Sequence, residues 1–388
     1  MTNKKHIHWI GAGLASGPGL VALAAETGNV TVWDMSDERA KMLQSEMPGG
    51  KTLGIEKLNL GDRGSVENFK NHLNAGDIIV SMLPATLHIA MADIALETGT
   101  HLVTSSYMDE AMAALDGAAK THGLAIVNEV GLDPGIDHLF AHIIINAARE
   151  AGVLGKGHKI EFVSHCGGVP VEKNDFTYKF SWTPFGVLKA LTSPAQCIEN
   201  GEEKTVGKVW QDVSELDIAG ETFEVYPNRN SLPYIEEYGL KGESNLETFV
   251  RGTLRLGGWK EAWADIFKQV ERADADNLKA LSEQLWNDHR YADDEEDRVV
   301  LYVALRVRDD SGKTIWHASL ALDEIGSGWQ TAMARTVSLT VAEAAKAILR
   351  GSFEPGVHAA LTDPLEAKKW LRGLKDAGVT MRAENIDI

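Results

Sequence analysis

Apolar positions fall in short unbroken runs over the first third of the chain. Ile7 to Ile10 leads into Gly11-Ala12-Gly13-Leu14-Ala15-Ser16-Gly17, then into a helical stretch, Leu20 to Ala25, and then into Val30 to Trp33, which ends on Asp34. The run from Asp77 to Leu83 stops at Pro84 and precedes a helical stretch from Leu87 to Glu97. His101 to Thr104 precedes another from Asp109 to Thr121, and Ala125 to Asn128 is the next strand. Continuous apolar strands alternating with helices predict a Rossmann-type parallel sheet covered on both faces. Ligands of such a sheet lie at the carboxyl ends of its strands, so the informative loops begin at Gly11, Asp34, Pro84, Ser105 and Glu129.

The pattern changes after Ile145. Lys159 to His165, Glu221 to Tyr226, Arg298 to Val307 and Thr314 to Leu322 alternate apolar and polar residues and are joined by turns such as Asp310-Ser311-Gly312. These predict a second α/β domain with a mixed or antiparallel sheet. Trp259 to Trp286 carries helical spacing and reads as a small insertion closed by the acidic run Asp293 to Asp297, a solvated loop rather than a metal site. Two further helices are expected over Thr331 to Leu349 and Pro364 to Asp376. The expected division is 1–131 with 332–388, 132–257 with 296–331, and the insertion 258–295.

The glycine segment has the context that dinucleotide binding requires. Gly11 makes a tight turn, Gly13 admits a pyrophosphate to the backbone, and Leu14 and Ala15 lead into a helix whose first N–H groups face the anion. Asp34, at the end of the second strand, is placed for the adenosine ribose diol and would repel a 2′-phosphate, so NAD is expected in preference to NADP. Pro84, after the next strand, is a further expected cofactor contact. Gly17 stands one residue beyond the motif's third glycine, the position that serves helix packing.

Composition narrows the partners. The 388 residues exceed one core and carry a formal net charge of −18, which argues against nucleic acid and anionic membranes. An anionic ligand must therefore be met by locally placed arginines. The two cysteines, Cys166 and Cys197, cannot build a disulfide framework, the first strand starts without a leader, and no apolar stretch reaches the ~20 residues of a membrane span. The expected location is the cytoplasm.

Six ordered segments carry a resemblance: Thr104-Ser105-Ser106-Tyr107, Asn128 to His138, Cys166-Gly167-Gly168, Tyr178 to Trp182, Tyr226-Pro227-Asn228-Arg229 and Arg251-Gly252-Thr253-Leu254-Arg255. Together they resemble the saccharopine dehydrogenase family in its glutamate-forming branch, the saccharopine reductases. The resemblance implies a homodimeric oxidoreductase of lysine metabolism. It would interconvert saccharopine with L-glutamate and L-2-aminoadipate 6-semialdehyde by hydride transfer. It also implies that Arg229 and Arg255 grip substrate carboxylates, with Arg251 close by. Ser106, Tyr107, Cys166, Ser181, Thr253 and Leu254 would complete the substrate contacts, and Leu132, Asp133 and Pro134 would close over the nicotinamide. His165 stands where the family pattern has tyrosine.

Oxidation of a secondary amine needs a base for its proton. Asp133 is the first choice and Tyr107 the second, whereas His138 reads as a packed residue and Cys166 as a neighbour of the substrate. Read without the resemblance, Ser105 and Ser106 are helix caps, Leu132 to Gly135 is a turn opening a helix, and the arginines are ordinary ion-pair partners. Two other readings stand beside the first. One is an imine-forming dehydrogenase such as carboxynorspermidine dehydrogenase, whose substrate is more cationic. The other is a nucleotide-binding sensor without catalysis.

Overall fold

The computed structural model describes residues 5–388 and divides into two compact units. The first runs through His138 and takes in Ala334–Gly378; the second comprises Leu139–Met333 and Val379–Ile388. The first holds a parallel sheet built from β1 (Ile7–Ile10), β2 (Val30–Asp34), β3 (Gly54–Lys57), β4 (Ile78–Ser81), β5 (His101–Thr104) and β6 (Ala125–Val127), with the strand Gly356–His358 beyond β6. From that edge the order is Gly356–His358, β6, β5, β4, β1, β2, β3. The winding direction reverses between β4 and β1, which places a ligand site at their carboxyl ends. Every residue of β1 and β4 is buried, including the polar His8 and Ser81, as strands covered on both faces require.

Helix Gly17–Thr27 follows the glycine loop. The packing glycine of the motif is Gly19: a Cβ there would lie 1.9 Å from the Ser338 carbonyl oxygen, and its N–H donates to the Ser338 hydroxyl at 2.7 Å. Helix Ala332–Arg350 can approach this closely because it presents small residues such as Ala334 and Ser338. The single helix expected over Asp109 to Thr121 is divided into Glu110–Ala113 and Asp116–His122.

The second unit carries a nine-stranded mixed sheet. Its strands are β7 (Lys159–Pro170), β8 (Ala195–Glu199), β9 (Glu202–Val206), β10 (Ser214–Ile218), β11 (Glu221–Pro227), β12 (Leu246–Leu256), β13 (Asp297–Arg308), β14 (Thr314–Gly326) and the final strand Met381–Glu384. Only β12 and β7 pair in parallel; the other pairings in this sheet are antiparallel. One face of the strands buries Phe223, Val225, Leu254 and Val300. A second core packs Tyr178, Phe180 and Tyr226 against Trp259, Trp263 and Phe267.

Two of the expected boundaries differ from this arrangement. Residues 258–295 share the aromatic core of the second unit, because their helices supply Trp259, Trp263 and Phe267 to it. The tail from Val379 lies in the second unit and not the first, because Met381–Glu384 pairs antiparallel with β14. The acidic run has structural partners: Glu295 pairs with Lys179, and the Asp297 carboxylate accepts the N–H groups of Ala332 and Met333 at the start of helix Ala332–Arg350.

Three buried histidines give the fold a predictable acid response. His8, His88 and His165 are each held at a pKa of about 4, mainly because burial penalises the charged ring. The unfolded chain binds these protons below pH 6.5 while the folded one refuses them until about 4. Stability is therefore complete above 6.5 and falls across this window by up to about 1.4 kcal/mol per pH unit for each ring. Asp297 and Glu343, raised by burial, oppose the trend by smaller shifts. Urea midpoints taken between pH 7 and 4 should drop steeply, and a flat profile would contradict these assignments.

Candidate functional site

In the first unit the turn after β1 is fixed by Gly11, whose φ is 95°. A Cβ there would meet the Met82 carbonyl oxygen at 3.2 Å. Its N–H donates to the Trp33 carbonyl, and its own carbonyl accepts the Ser16 hydroxyl, both at 2.8 Å. Gly13 has nothing within 4 Å of the place a Cβ would take, which leaves its backbone open to a pyrophosphate. Leu14 is exposed and Ala15 half-buried at the mouth of helix Gly17–Thr27.

Asp34 is turned back onto this loop. One carboxylate oxygen accepts the Ala12 N–H at 2.6 Å and the other accepts the Ser36 N–H at 3.2 Å. Beside it, Arg39 donates from Nε to the Gly13 carbonyl at 3.3 Å, which brings a guanidinium to the same edge of the loop. Sequence reasoning passed over Arg39; its signal was a cation five residues beyond the strand-ending acid.

At the carboxyl ends of β4, β5 and β6 the polar groups converge. Pro84 is exposed and opens the short turn before helix His88–Thr98. The His88 ring is 3 % exposed and touches three hydroxyls: Ser81 Oγ lies 3.0 Å from Nδ1, while Thr104 Oγ1 and Ser106 Oγ each lie 2.9 Å from Nε2. Ser106 therefore does not cap the following helix; Asp109 does, accepting the Met112 N–H at 2.8 Å. The Tyr107 hydroxyl donates to Asp133 Oδ1 at 2.8 Å.

Asp133 stands in a tight turn in which the Gly131 N–H reaches the Pro134 carbonyl. The Asp133–Pro134 bond is cis. Leu132 is buried, and Gly135 admits no side chain because a Cβ would meet Gly131 O at 2.0 Å. Helix Ile136–Glu150 begins at once, with His138 fully buried and 2.9 Å from a Glu129 carboxylate oxygen.

In the second unit β12 aligns Arg251, Thr253 and Arg255 on one face by simple alternation. Thr253 is opposite Cys166 on β7, so that pair shares the face. Leu254 points to the other side, into the apolar cluster with Phe223 and Val225. Two glycines of the ordered segments are steric necessities. A Cβ on Gly167 would meet Leu254 O at 2.0 Å, and one on Gly252 would meet His165 Nδ1 at 2.4 Å.

Arg255 is 6 % exposed. Its guanidinium carbon lies 4.8 Å from the Tyr178 ring centre, 5.8 Å from Tyr226 and 5.7 Å from Trp259. Nη1 donates to the Leu254 carbonyl at 3.1 Å, but Nε and the Trp259 indole N–H, both buried, have no partner among the described residues. Burial raises the Tyr226 pKa, with the Arg255 charge working against that rise. Arg251 is also buried and lies over the Tyr234 ring at 3.9 Å. Arg229 is elsewhere: it is exposed, at φ 57° in the turn after β11, about 17 Å along the strands from Arg255. Ser181 is half-buried after Phe180. The ring box around Arg255 was not anticipated, although Tyr178 and Tyr226 both lie in the ordered segments.

Comparison with known proteins follows this division. Residues 7–127 match the family described as saccharopine dehydrogenase NADP binding domain, and residues 131–379 match the saccharopine dehydrogenase C-terminal domain. The mitochondrial alpha-aminoadipic semialdehyde synthase of Mus musculus is 34% identical over 269 residues, 68% of this chain and 28% of that protein. The chain thus spans little more than a quarter of that relative. Saccharopine dehydrogenase [NADP(+), L-glutamate-forming] of Schizosaccharomyces pombe is 30% identical over 75% of this chain and 69% of its own. The enzyme of the same name from Saccharomyces cerevisiae is 28% identical over 98% and 99%. The solved apo structure of the latter superimposes with a TM-score of 0.79 at 26% identity, covering 98% of this chain and 100% of that one.

These findings overturn the expectation of NAD: the matching domain family is NADP-binding, and the fungal relatives carry NADP(+) in their names. In the structure the Asp34 carboxylate is already engaged by the Ala12 and Ser36 amides, and a guanidinium, Arg39, stands at the same edge of the loop. Among the described residues no helix is long and apolar enough to cross a membrane. With both domain families matched in order along the chain, the protein belongs to the saccharopine dehydrogenase family.

Proposed function

We propose that the chain is an NADP-dependent oxidoreductase of lysine metabolism that interconverts saccharopine with L-glutamate and L-2-aminoadipate 6-semialdehyde. The observation that carries this reading is Arg255, a buried guanidinium that forms no ion pair with any described residue. A desolvated cation without a counter-charge costs several kcal/mol, and such a cost persists where a ligand supplies the missing anion. A carboxylate accepts two parallel hydrogen bonds from a guanidinium, and saccharopine carries three carboxylates. A carboxynorspermidine-type substrate offers more ammonium groups and fewer carboxylates, so the buried cation disfavours it.

Bound at the glycine loop, NADP supplies the acceptor or donor of the hydride. Asp133 takes the proton of the secondary amine as the C–H bond beside it is broken, and Tyr107 holds the carboxylate in place through its 2.8 Å hydrogen bond. Water then adds to the resulting C=N bond, and cleavage of the C–N bond releases the amino group on glutamate. Ser106 offers its hydroxyl to an amino-acid end of the substrate.

Absorbance at 340 nm tests the reading. Saccharopine with NADP+ should give a steady rise and carboxynorspermidine almost none; the reverse preference would remove the proposal. The same assay tests Arg39. Arg39→Ala should raise the KM for NADP+ about tenfold or more, the scale of one charge-assisted phosphate contact, while moving that for NAD+ little. An equal change for both cofactors would show that Arg39 does not meet the 2′-phosphate.

A further inference from the structure

We propose that His88 is a positioning residue for this reaction, a ring that holds the Ser106 hydroxyl oxygen in place at the carboxyl edge of the first sheet. The inference rests on the proposed function in one respect, the contact between Ser106 and substrate. Its geometry is independent of that. His88 is the first residue of helix His88–Thr98 and reaches the ends of two adjacent strands, with Ser81 closing β4 and Thr104 closing β5. Its third partner, Ser106, is only half-buried. The backbone on either side of that hydroxyl is also held: Ser106 N–H donates to Thr104 Oγ1 at 3.2 Å, and its carbonyl accepts the Glu129 N–H at 3.1 Å.

A neutral imidazole offers one donor and one acceptor, and Nε2, shared between Thr104 Oγ1 and Ser106 Oγ, engages one side of the Ser106 oxygen and leaves the other for a ligand. Burial keeps the ring neutral, with a pKa of about 4 that the Asp109 charge raises only in part. A doubly protonated ring would donate from both nitrogens, and a hydroxyl that had donated to the acceptor nitrogen would have to turn. The neutral ring therefore holds the Ser106 oxygen in place before substrate arrives, which is the kind of preorganisation that lowers the cost of binding.

Two near-isosteric variants of the full chain separate positioning from packing. In His88→Gln the side-chain amide reaches the place of Nε2, whereas in His88→Asn it reaches only the place of Nδ1. The expected result is that H88N raises the KM for saccharopine about tenfold with the NADP+ dissociation constant unchanged, that H88Q stays within about threefold of wild type, and that S106A matches H88N with no further loss in the double variant. Equal losses in H88N and H88Q, or losses of H88N and S106A that multiply, would overturn the assignment. If the wild-type protein does not turn over saccharopine, the functional reading fails by itself. The His88–Ser106 link is then read from thermal midpoints of the same cycle, where coupling upholds it and additivity overturns it.

Discussion

Arg255→Met raises the KM for saccharopine about a hundredfold or more while the dissociation constant of NADP+ stays within about twofold. The methionine keeps an unbranched stem among Tyr178, Tyr226 and Trp259 and removes only the charge and its donors. A buried, bidentate guanidinium–carboxylate contact is worth roughly 3 kcal/mol, which sets the size of the effect. The same substitution makes a second, opposite prediction about stability. Without ligand the guanidinium is a desolvated charge lacking an ion-pair partner, so its removal should leave the thermal midpoint unchanged or raised. A residue kept for stability would lower the midpoint on replacement; one kept for binding would not. Steady-state kinetics beside calorimetry checks both, and an unchanged KM with a lowered midpoint would assign Arg255 to the fold.

Asp133→Asn lowers kcat about a hundredfold and abolishes the acid limb of the kcat profile. Asparagine preserves shape and can still accept the Tyr107 hydroxyl, but it cannot take a proton. Tyr107→Phe, which leaves the carboxylate in place and removes only the hydrogen bond that orients it, should cost less than Asp133→Asn and should keep the acid limb. Full kcat with an unaltered profile in the Asn variant would place the base elsewhere and make Tyr107 the next residue to test.

The parallel sheet was legible because β1, β4 and β5 are short, mostly apolar runs without a polar face, as a sheet covered on both faces requires. The dinucleotide turn was legible because Gly11 and Gly13 answer to backbone geometry, which glycine spacing reports directly. The strand Gly356–His358 escaped notice because it has three residues and gains its place through the Leu124 carbonyl and the Asp116 carboxylate, contacts more than 200 residues distant. The final strand Met381–Glu384 is mostly exposed and shows no apolar alternation to mark it.

The site divides in the same way. Asp34 was found, but its consequence was misjudged, because a sequence gives the charge of a side chain and not the amides it faces. His88 and Arg39 contact neighbours that only the fold supplies. The box around Arg255 draws on positions 178, 226 and 259, brought together by the pairing of β11 with β12 and by the helix that follows. Arg229 and Leu254 share motifs with Arg255, yet strand length separates the first from it and strand alternation turns the second away.

The central proposal is that the chain oxidises saccharopine with NADP+, and that the buried Arg255 meets a substrate carboxylate. Product analysis of the wild-type chain incubated with saccharopine and NADP+ tests it most directly. The account predicts L-glutamate and NADPH appearing in equal amounts. NADPH without glutamate, or no NADPH at all under conditions where the protein is folded, would contradict it.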